Sequence, residues 1–299
     1  MEFTGERVIP GAPEKWDDLY AEHVLRYAFA RLLAPGRRVL DDGCGCGYGS
    51  FLLARAGAAE VVGIDRDPEA VAWARGKFRL SNLRFEVMDT TDLRIPDGRF
   101  DVVACFELIE HVDDYRAHLR EVRRVLAPSG RYVVSTPNAR LDSPLAPAER
   151  PANPFHVQEW PVEDFRGVLG EFFPALRLYA QHRSEGFLIR PLEDGGPRVM
   201  DLPVALWRDS GPLVPEIDPA RLTEEAQVDY VVAVCAASAE ALTEAPGDGL
   251  FLVRATNVLR EREGWVRWLQ DEKNRLCDRL ARLEIELNRA GVASEEKIT

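Results

Sequence analysis

The chain has 299 residues, 46% of them hydrophobic, and a formal net charge of −12 at pH 7. That length allows one large core or two modest ones, and no stretch reaches the roughly 18 uninterrupted apolar residues of a membrane helix, which excludes a membrane span. So acidic a surface repels phosphate backbones and disfavours nucleic acid as a partner.

At the N-terminus, Glu2 and Glu6 stand where a secretory signal carries basic residues, so export is not expected. The five cysteines, Cys44, Cys46, Cys105, Cys235 and Cys277, form no CxxC pair, which fits a reducing cytoplasmic location. A helical period over Trp16–Leu33 places Leu19, His23, Arg26, Tyr27 and Ala30 on neighbouring turns, predicting a helix packed near strand ends. From Arg38 to Asn138, β-rich runs (RVLDDG, EVVGID, LRFEVMD, FDVVACFE, GRYVVSTPN) alternate with helix-length segments. That alternation predicts βαβ units and a parallel sheet, and the apolar strands predict helices on both faces. PVEDFRGVLG then reads as a helix, and ALRLYAQHR and VDYVVAVCAAS as two more strands, making seven. The Pro/Gly-rich stretch between those strands, residues 184–227, is long for a plain connection and reads as a substrate-covering insertion or a subunit contact. From Phe251 to Ala290 no strand signal occurs; Leu259, Val266, Leu269, Leu276, Leu280, Leu283 and Leu287 fit heptad a and d sites. This predicts a domain over residues 1–250 and a C-terminal coiled-coil helix over 251–299, pairing with a second copy as a homodimer or docking on its own domain.

Three strand ends carry residues suited to a nucleoside. After Leu40 comes Asp41-Asp42-Gly43-Cys44-Gly45-Cys46-Gly47-Tyr48-Gly49, whose alternating glycines let backbone approach a ligand closely. The spacing is GxGxG, not the GxGxxG of dinucleotide binding. Asp65 ends the second strand where a carboxylate meets ribose hydroxyls, and Asp89 with Thr90 ends the third, near an adenine amino group. Either acid alone also reads as a helix cap.

In this order these segments resemble the class I S-adenosylmethionine-dependent methyltransferases from about Arg38 to Asn138. The resemblance implies a Rossmann-like, seven-stranded, mostly parallel α/β sheet with an insertion before the last strand, and S-adenosylmethionine as cofactor. It places Asp41 near the methionine amino group, Gly43 and Gly45 along the cofactor, Asp65 on ribose, Asp89, Thr90 and Phe106 around the nucleoside, and Arg26 near the cofactor carboxylate. Asp42 departs from the pattern, which has an apolar residue there.

In FDVVACFELIEHV, Glu107, Glu110 and His111 fall at i, i+3 and i+4, and HVQEW brings His156. The trio reads as metal ligands, as a turn with His111 as general base helped by Glu110, or as a hydrogen-bonded turn; His156 reads as a ligand or a helix cap. ExxEH with the distant histidine is similar to metal-dependent small-RNA 2′-O-methyltransferases, and ExxEH alone to ubiquinone-pathway O-methyltransferases. The resemblance implies a divalent cation on Glu107, Glu110, His111 and His156, and two carboxylates with two imidazoles suit Mn, Fe, Co or Zn better than Mg. The opening FTGERVIPG resembles bacterial methyltransferases of glycan and natural-product pathways. The expected activity is O-methylation of a small-molecule, sugar or glycan hydroxyl; RNA 2′-O-methylation and a non-catalytic assembly module are the alternatives.

Overall fold

A computed structural model describes residues 17–139, 155–183, 187–191, 198–200, 228–244 and 249–253. All lie in the unit Met1–Ala255; the second unit, Thr256–Thr299, and with it the coiled-coil helix expected there, lies outside the described residues.

The apolar run of β1 (Arg38–Asp42) sits mid-sheet, parallel to β2 (Glu60–Asp65) on one side and β4 (Phe100–Phe106) on the other. Beyond β2 lies β3 (Leu83–Val87), and beyond β4 lies β5 (Leu126–Pro137), both parallel to their neighbours. After β6 (Ala175–Arg183), the late strand β9 (Tyr230–Ala236) inserts antiparallel between β5 and β6. These seven strands are the seven read from the sequence, in the Rossmann-like order that brings the carboxyl ends of β1 to β4 to one edge.

Three short strands extend the sheet past β6: β7 (Phe187–Pro191), β8 (Arg198–Met200) and β10 (Gly249–Val253), in the order β6-β7-β10-β8. Two of them come from the expected insertion, which therefore adds backbone pairing to the sheet. The third includes Phe251–Val253, so the expectation of a strandless segment from Phe251 is corrected, and residue 250 lies inside a strand. GLFLV is a short apolar run whose periodicity cannot separate strand from helix; antiparallel pairing with β7 decides it.

The helices follow local signals. Asp67 caps α3 (Pro68–Lys77) by accepting the Glu69 N–H, with Pro68 in the first turn, and Asp114 caps α4 (Tyr115–Val125) through the Ala117 N–H. The buried face of α4 carries His118, Leu119, Val122 and Val125. Helix α1 (Asp17–Ala30) reaches across to β6 and β9, and α5 (Val162–Gly170) follows the HVQEW segment.

Helix α2 (Tyr48–Arg55) starts directly from the glycine loop. A Cβ on Gly49 would lie 1.9 Å from the Tyr27 ring, and one on Gly47, at φ +78°, would lie 2.6 Å from Phe85 and 2.7 Å from Ala74. Two glycines of the alternating run are thus demanded by packing against α1, α3 and β3. Gly49→Ala is expected to destabilise the fold by about 1–3 kcal/mol through overpacking. Gly167→Ala, in α5 with nothing within 4 Å of the added carbon, is expected to stabilise by about 0.5–1 kcal/mol. Thermal melts of the two variants check the opposite signs.

Candidate active site

At the carboxyl edge the sheet opens into a cleft of about 650 Å³. Gly43 and Gly45 line it from the loop after β1, Asp65 from the end of β2, Asp89 and Thr90 from the turn after β3, and Phe106, Glu107 and His111 from the end of β4 and the turn that follows. The strand ends singled out in the sequence therefore face one space.

The glycine loop is fixed from β2. Ile64 O accepts the Gly43 and Cys44 N–H groups at 3.0 and 2.8 Å, and Asp65 Oδ2 accepts the Gly45 N–H at 2.9 Å. Asp65 Oδ1 takes the Asp67 N–H at 2.9 Å, so Asp65 ties the loop to the start of α3 while Asp67 is the helix cap. Asp89 closes its own turn, accepting the Thr91 N–H and hydroxyl at 2.8 and 2.6 Å, which hold its carboxyl below the usual carboxylate range.

The two consecutive aspartates of β1 point to opposite faces of the sheet, as strand geometry requires. Asp41 is buried beneath the cleft, accepting the Tyr27 hydroxyl at 3.0 Å and the Ser50 hydroxyl at 2.5 Å. It is not among the residues that line the cleft, whereas Tyr27, whose hydroxyl it accepts, does line it. Burial pushes the Asp41 carboxyl up to about 6, against the two hydroxyl bonds. Asp42 lines the cleft on the α4 side with 1% exposure, its Oδ2 accepting the Thr90 hydroxyl at 2.6 Å. Burial pushes it up to about 7, Thr90 opposes, and Asp41, Asp65 and Asp89 add to the rise. Sequence reasoning missed its companion, buried His118, although the spacing to Leu119, Val122 and Val125 marks position 118 as part of a buried helix face.

Arg26 is wholly buried and also absent from the cleft lining. Its Nε donates to Gln181 Oε1 at 2.9 Å, its guanidinium lies 4.2 Å from the Tyr230 ring centroid, and Nη1 is 3.6 Å from Glu107 Oε1. Among the described residues, neither Nη1 nor Nη2 has a hydrogen-bond partner. Gln181 and Tyr230, from β6 and β9, carry no motif that would have marked them in the sequence.

Glu107 has φ 51°, a left-handed backbone uncommon outside glycine. Its carboxylate accepts the Ser135 hydroxyl at 2.6 Å and faces Arg26. Three residues on, Glu110 is fully buried; Oε2 accepts the Thr136 hydroxyl at 3.3 Å, and Oε1 has no hydrogen-bond partner among the described residues. Burial and the Glu107 charge push the Glu110 carboxyl well above its ordinary range. Glu110 O accepts the Val157 and Gln158 N–H groups at 2.8 and 3.3 Å, which docks the His156 segment onto the turn.

Ligand atoms of Glu110, His111 and His156 lie within 4.8 Å of one another, and Glu107 is not part of that cluster. Nδ1 of His111 faces Phe155 O at 2.7 Å, and Nδ1 of His156 faces Glu159 Oε1 at 2.5 Å. Both partners are acceptors, so each neutral ring carries its proton on Nδ1 and its lone pair on Nε2. An acceptor that holds the Nδ1 proton and leaves Nε2 free to donate its electron pair is usual for metal-bound imidazoles. With the orphaned Glu110 Oε1, the three residues fit a divalent cation.

The model of a methyltransferase domain family matches residues 33–165. A probable S-adenosylmethionine-dependent methyltransferase of Mycolicibacterium smegmatis is 38% identical over 161 residues, 53% of this chain and 60% of that protein. Ubiquinone biosynthesis O-methyltransferase of Xanthomonas oryzae pv. oryzae is 43% identical over 117 residues, 38% of this chain and 48% of that protein. The chain thus spans at most 60% of the length of these curated relatives. A solved SAM-dependent methyltransferase of Thermotoga maritima, described as a possible histamine N-methyltransferase, is alike in fold with a TM-score of 0.52 at 14% identity, covering 73% of this chain and 90% of that one.

Asp42 gives the site a pH signature. Its folded pKa, about 7, lies above the unfolded value of about 3.9, so its ionised form is a burden on the native state above pH ~7. That burden lifts as pH falls from the folded towards the unfolded value. Asp42→Asn is therefore expected to raise Tm by a few degrees at pH 8, with the gain shrinking towards pH 5; paired melts at the two pH values measure it.

Proposed function

We propose that the methyltransferase domain of residues 33–165 moves a methyl group from S-adenosylmethionine to a hydroxyl oxygen of a small molecule, sugar or glycan, with a divalent cation held by Glu110, His111 and His156. The domain match and the names of the relatives support an enzyme of the S-adenosylmethionine-dependent methyltransferase kind. The observation that carries the reading is the convergence of Asp65, Asp89, Glu107 and His111 on one cleft at the carboxyl edge of parallel strands.

In this reading Asp65 takes the ribose hydroxyls beside Gly43 and Gly45, and Asp89, Thr90 and Phe106 surround the adenine. Asp41 acts from behind, fixing Tyr27 and Ser50. Arg26 supplies positive charge beneath the α1 side of the cleft, where its neighbours His23 and Tyr27 form the wall. The cofactor would bring a methyl group on a sulfonium, and Glu110, His111 and His156 would hold a cation able to lower the pKa of an acceptor hydroxyl and orient it. The acceptor oxygen forms the new C–O bond as the S–CH3 bond breaks, leaving a thioether, and the hydroxyl proton leaves to solvent or to a nearby base. The tautomer assigned to His111 places a lone pair on Nε2, which equally suits a general base, so His111 acting alone is the second reading.

The test is transfer from labelled S-adenosylmethionine to a panel of vicinal diols and sugars, with and without chelator, alongside calorimetric donor binding. Glu110→Ala and His111→Ala are expected to lower transfer by about 100-fold or more with donor affinity within a few-fold of the parent. Transfer indifferent to chelator but lost in His111→Ala selects the base reading. No donor binding by the parent protein removes the proposed activity.

A further inference from the structure

Asp42, Thr90, His118 and Tyr132 form one continuous hydrogen-bonded chain from the cleft wall into the core. Thr90 Oγ1 lies 2.6 Å from Asp42 Oδ2 and 2.5 Å from His118 Nδ1, and His118 Nε2 lies 3.0 Å from the Tyr132 hydroxyl and 3.8 Å from Cys105 Sγ. His118, Tyr132 and Cys105 are wholly buried, and His118 stays neutral because burial holds it down at about 4. Ligand atoms of Asp42, Cys105 and His118 cluster closely enough to consider a metal. The two ring nitrogens, however, face opposite ways into hydroxyl partners, with the Thr90 backbone also accepting from the ring, which makes the group a hydrogen-bond chain.

Each hydroxyl in the chain has one proton, so the chain has two directions. With Asp42 ionised, Thr90 donates to the carboxylate, His118 donates from Nδ1 to Thr90, and Tyr132 donates to Nε2. With Asp42 protonated, the carboxyl donates to Thr90, Thr90 donates to Nδ1, and His118 donates from Nε2 to Tyr132, whose own proton turns towards Cys105. One proton enters from solvent, and the proton count of the imidazole is unchanged. The charged and titratable groups that act on Asp42 are Asp65 at the end of β2, Asp89 after β3, His118 on α4, Cys105 on β4, Tyr132 on β5 and Cys44 in the glycine loop, with Asp41 on the opposite face of β1 and Arg66 beside Asp89.

We propose that Asp42 is a specificity residue of the nucleoside cleft whose ionisation is coupled, through Thr90, to the tautomer of buried His118, so that the cleft wall favours a cationic sulfonium donor over its neutral thioether product only when Asp42 is ionised. The donor-product part rests on the methyl-transfer reading; the tautomer coupling does not. A carboxyl that lines the cleft while hidden from bulk water has its charge screened less than a surface acid. Carboxyl burial places the transition near neutrality.

Two measurements test this on the full chain. Long-range 15N–1H spectra, with the His118 signals identified by their loss in His118→Gln, are expected to show Nδ1–H at pH 8.5 and Nε2–H at pH 5.5, neutral at both. Thr90→Ser keeps that change and Thr90→Val loses it. A single tautomer across the range overturns the coupling, whatever the protein binds. Calorimetry then compares S-adenosylmethionine with S-adenosylhomocysteine. The preference for the donor, normalised to that of Asp42→Asn at each pH, is expected to rise on the order of fivefold from pH 6 to 8. A flat normalised preference overturns the specificity role. If neither nucleoside binds, the methyl-transfer reading and the specificity role fall together, while the spectra still decide the coupling.

Discussion

Four carboxyl groups, buried Asp41, Asp42 and Glu110 and half-buried Glu107, gather at the carboxyl ends of β1 and β4, and the site is organised by how each is held. Burying an ionisable acid is costly unless donors or a countercharge meet it. Asp41 has two hydroxyls, Asp42 has Thr90 backed by His118, and Glu107 has Ser135 and the Arg26 guanidinium. Glu110 has a long bond from Thr136, its own backbone N–H and the more distant Arg26 charge, and one oxygen with no side-chain partner among the described residues, and its carboxyl is still pushed well above its ordinary range. The least compensated acid is thus the one beside two imidazoles, which is where an added cation relieves most.

Strand alternation distributes these acids. Because consecutive side chains leave opposite faces, Asp41 is delivered to α1 and α2, and Asp42 to α4. One face becomes a brace for Tyr27 and the helix after the glycine loop, the other a polar shaft through the α4 layer. Glu107 escapes the alternation through its left-handed backbone, which turns the chain out of β4 and starts the turn that presents Glu110 and His111. A strained residue at that point, held by Ser135 on the neighbouring strand, is consistent with a position fixed for its chemistry.

Much of this was legible in the sequence because parallel strands announce themselves as apolar runs separated by helices, and their order places the acids Asp65, Asp89 and Glu107 at strand ends. Less legible was which acids reach the cleft. Asp41 and Asp42 are neighbours with the same side chain, and only tertiary contacts with Tyr27, Ser50 and Thr90 assign one to the interior and the other to the wall. Gly47 and Gly49 looked like ligand glycines, yet they answer to Phe85, Ala74 and Tyr27, residues far off in sequence. The strands at Phe187, Arg198 and Gly249 gave no periodic signal, since runs of three to five residues acquire strand character only when a partner pairs with them.

The histidines separate into two kinds by their hydrogen-bond partners. His111 and His156 each have Nδ1 against a pure acceptor, a backbone carbonyl in one case and a carboxylate in the other. That fixes the tautomer and commits Nε2 as an electron-pair donor, as a ligand or a base must be. His118 lies between two hydroxyls, each able to donate or accept, with the Thr90 backbone as a further acceptor; in the proposed coupling, direction is imposed from the end of the chain, where Asp42 gains or loses a proton. Identical side chains in one α/β unit are thereby suited to opposite tasks, and the distinction lies in whether the neighbouring atom can reverse its role.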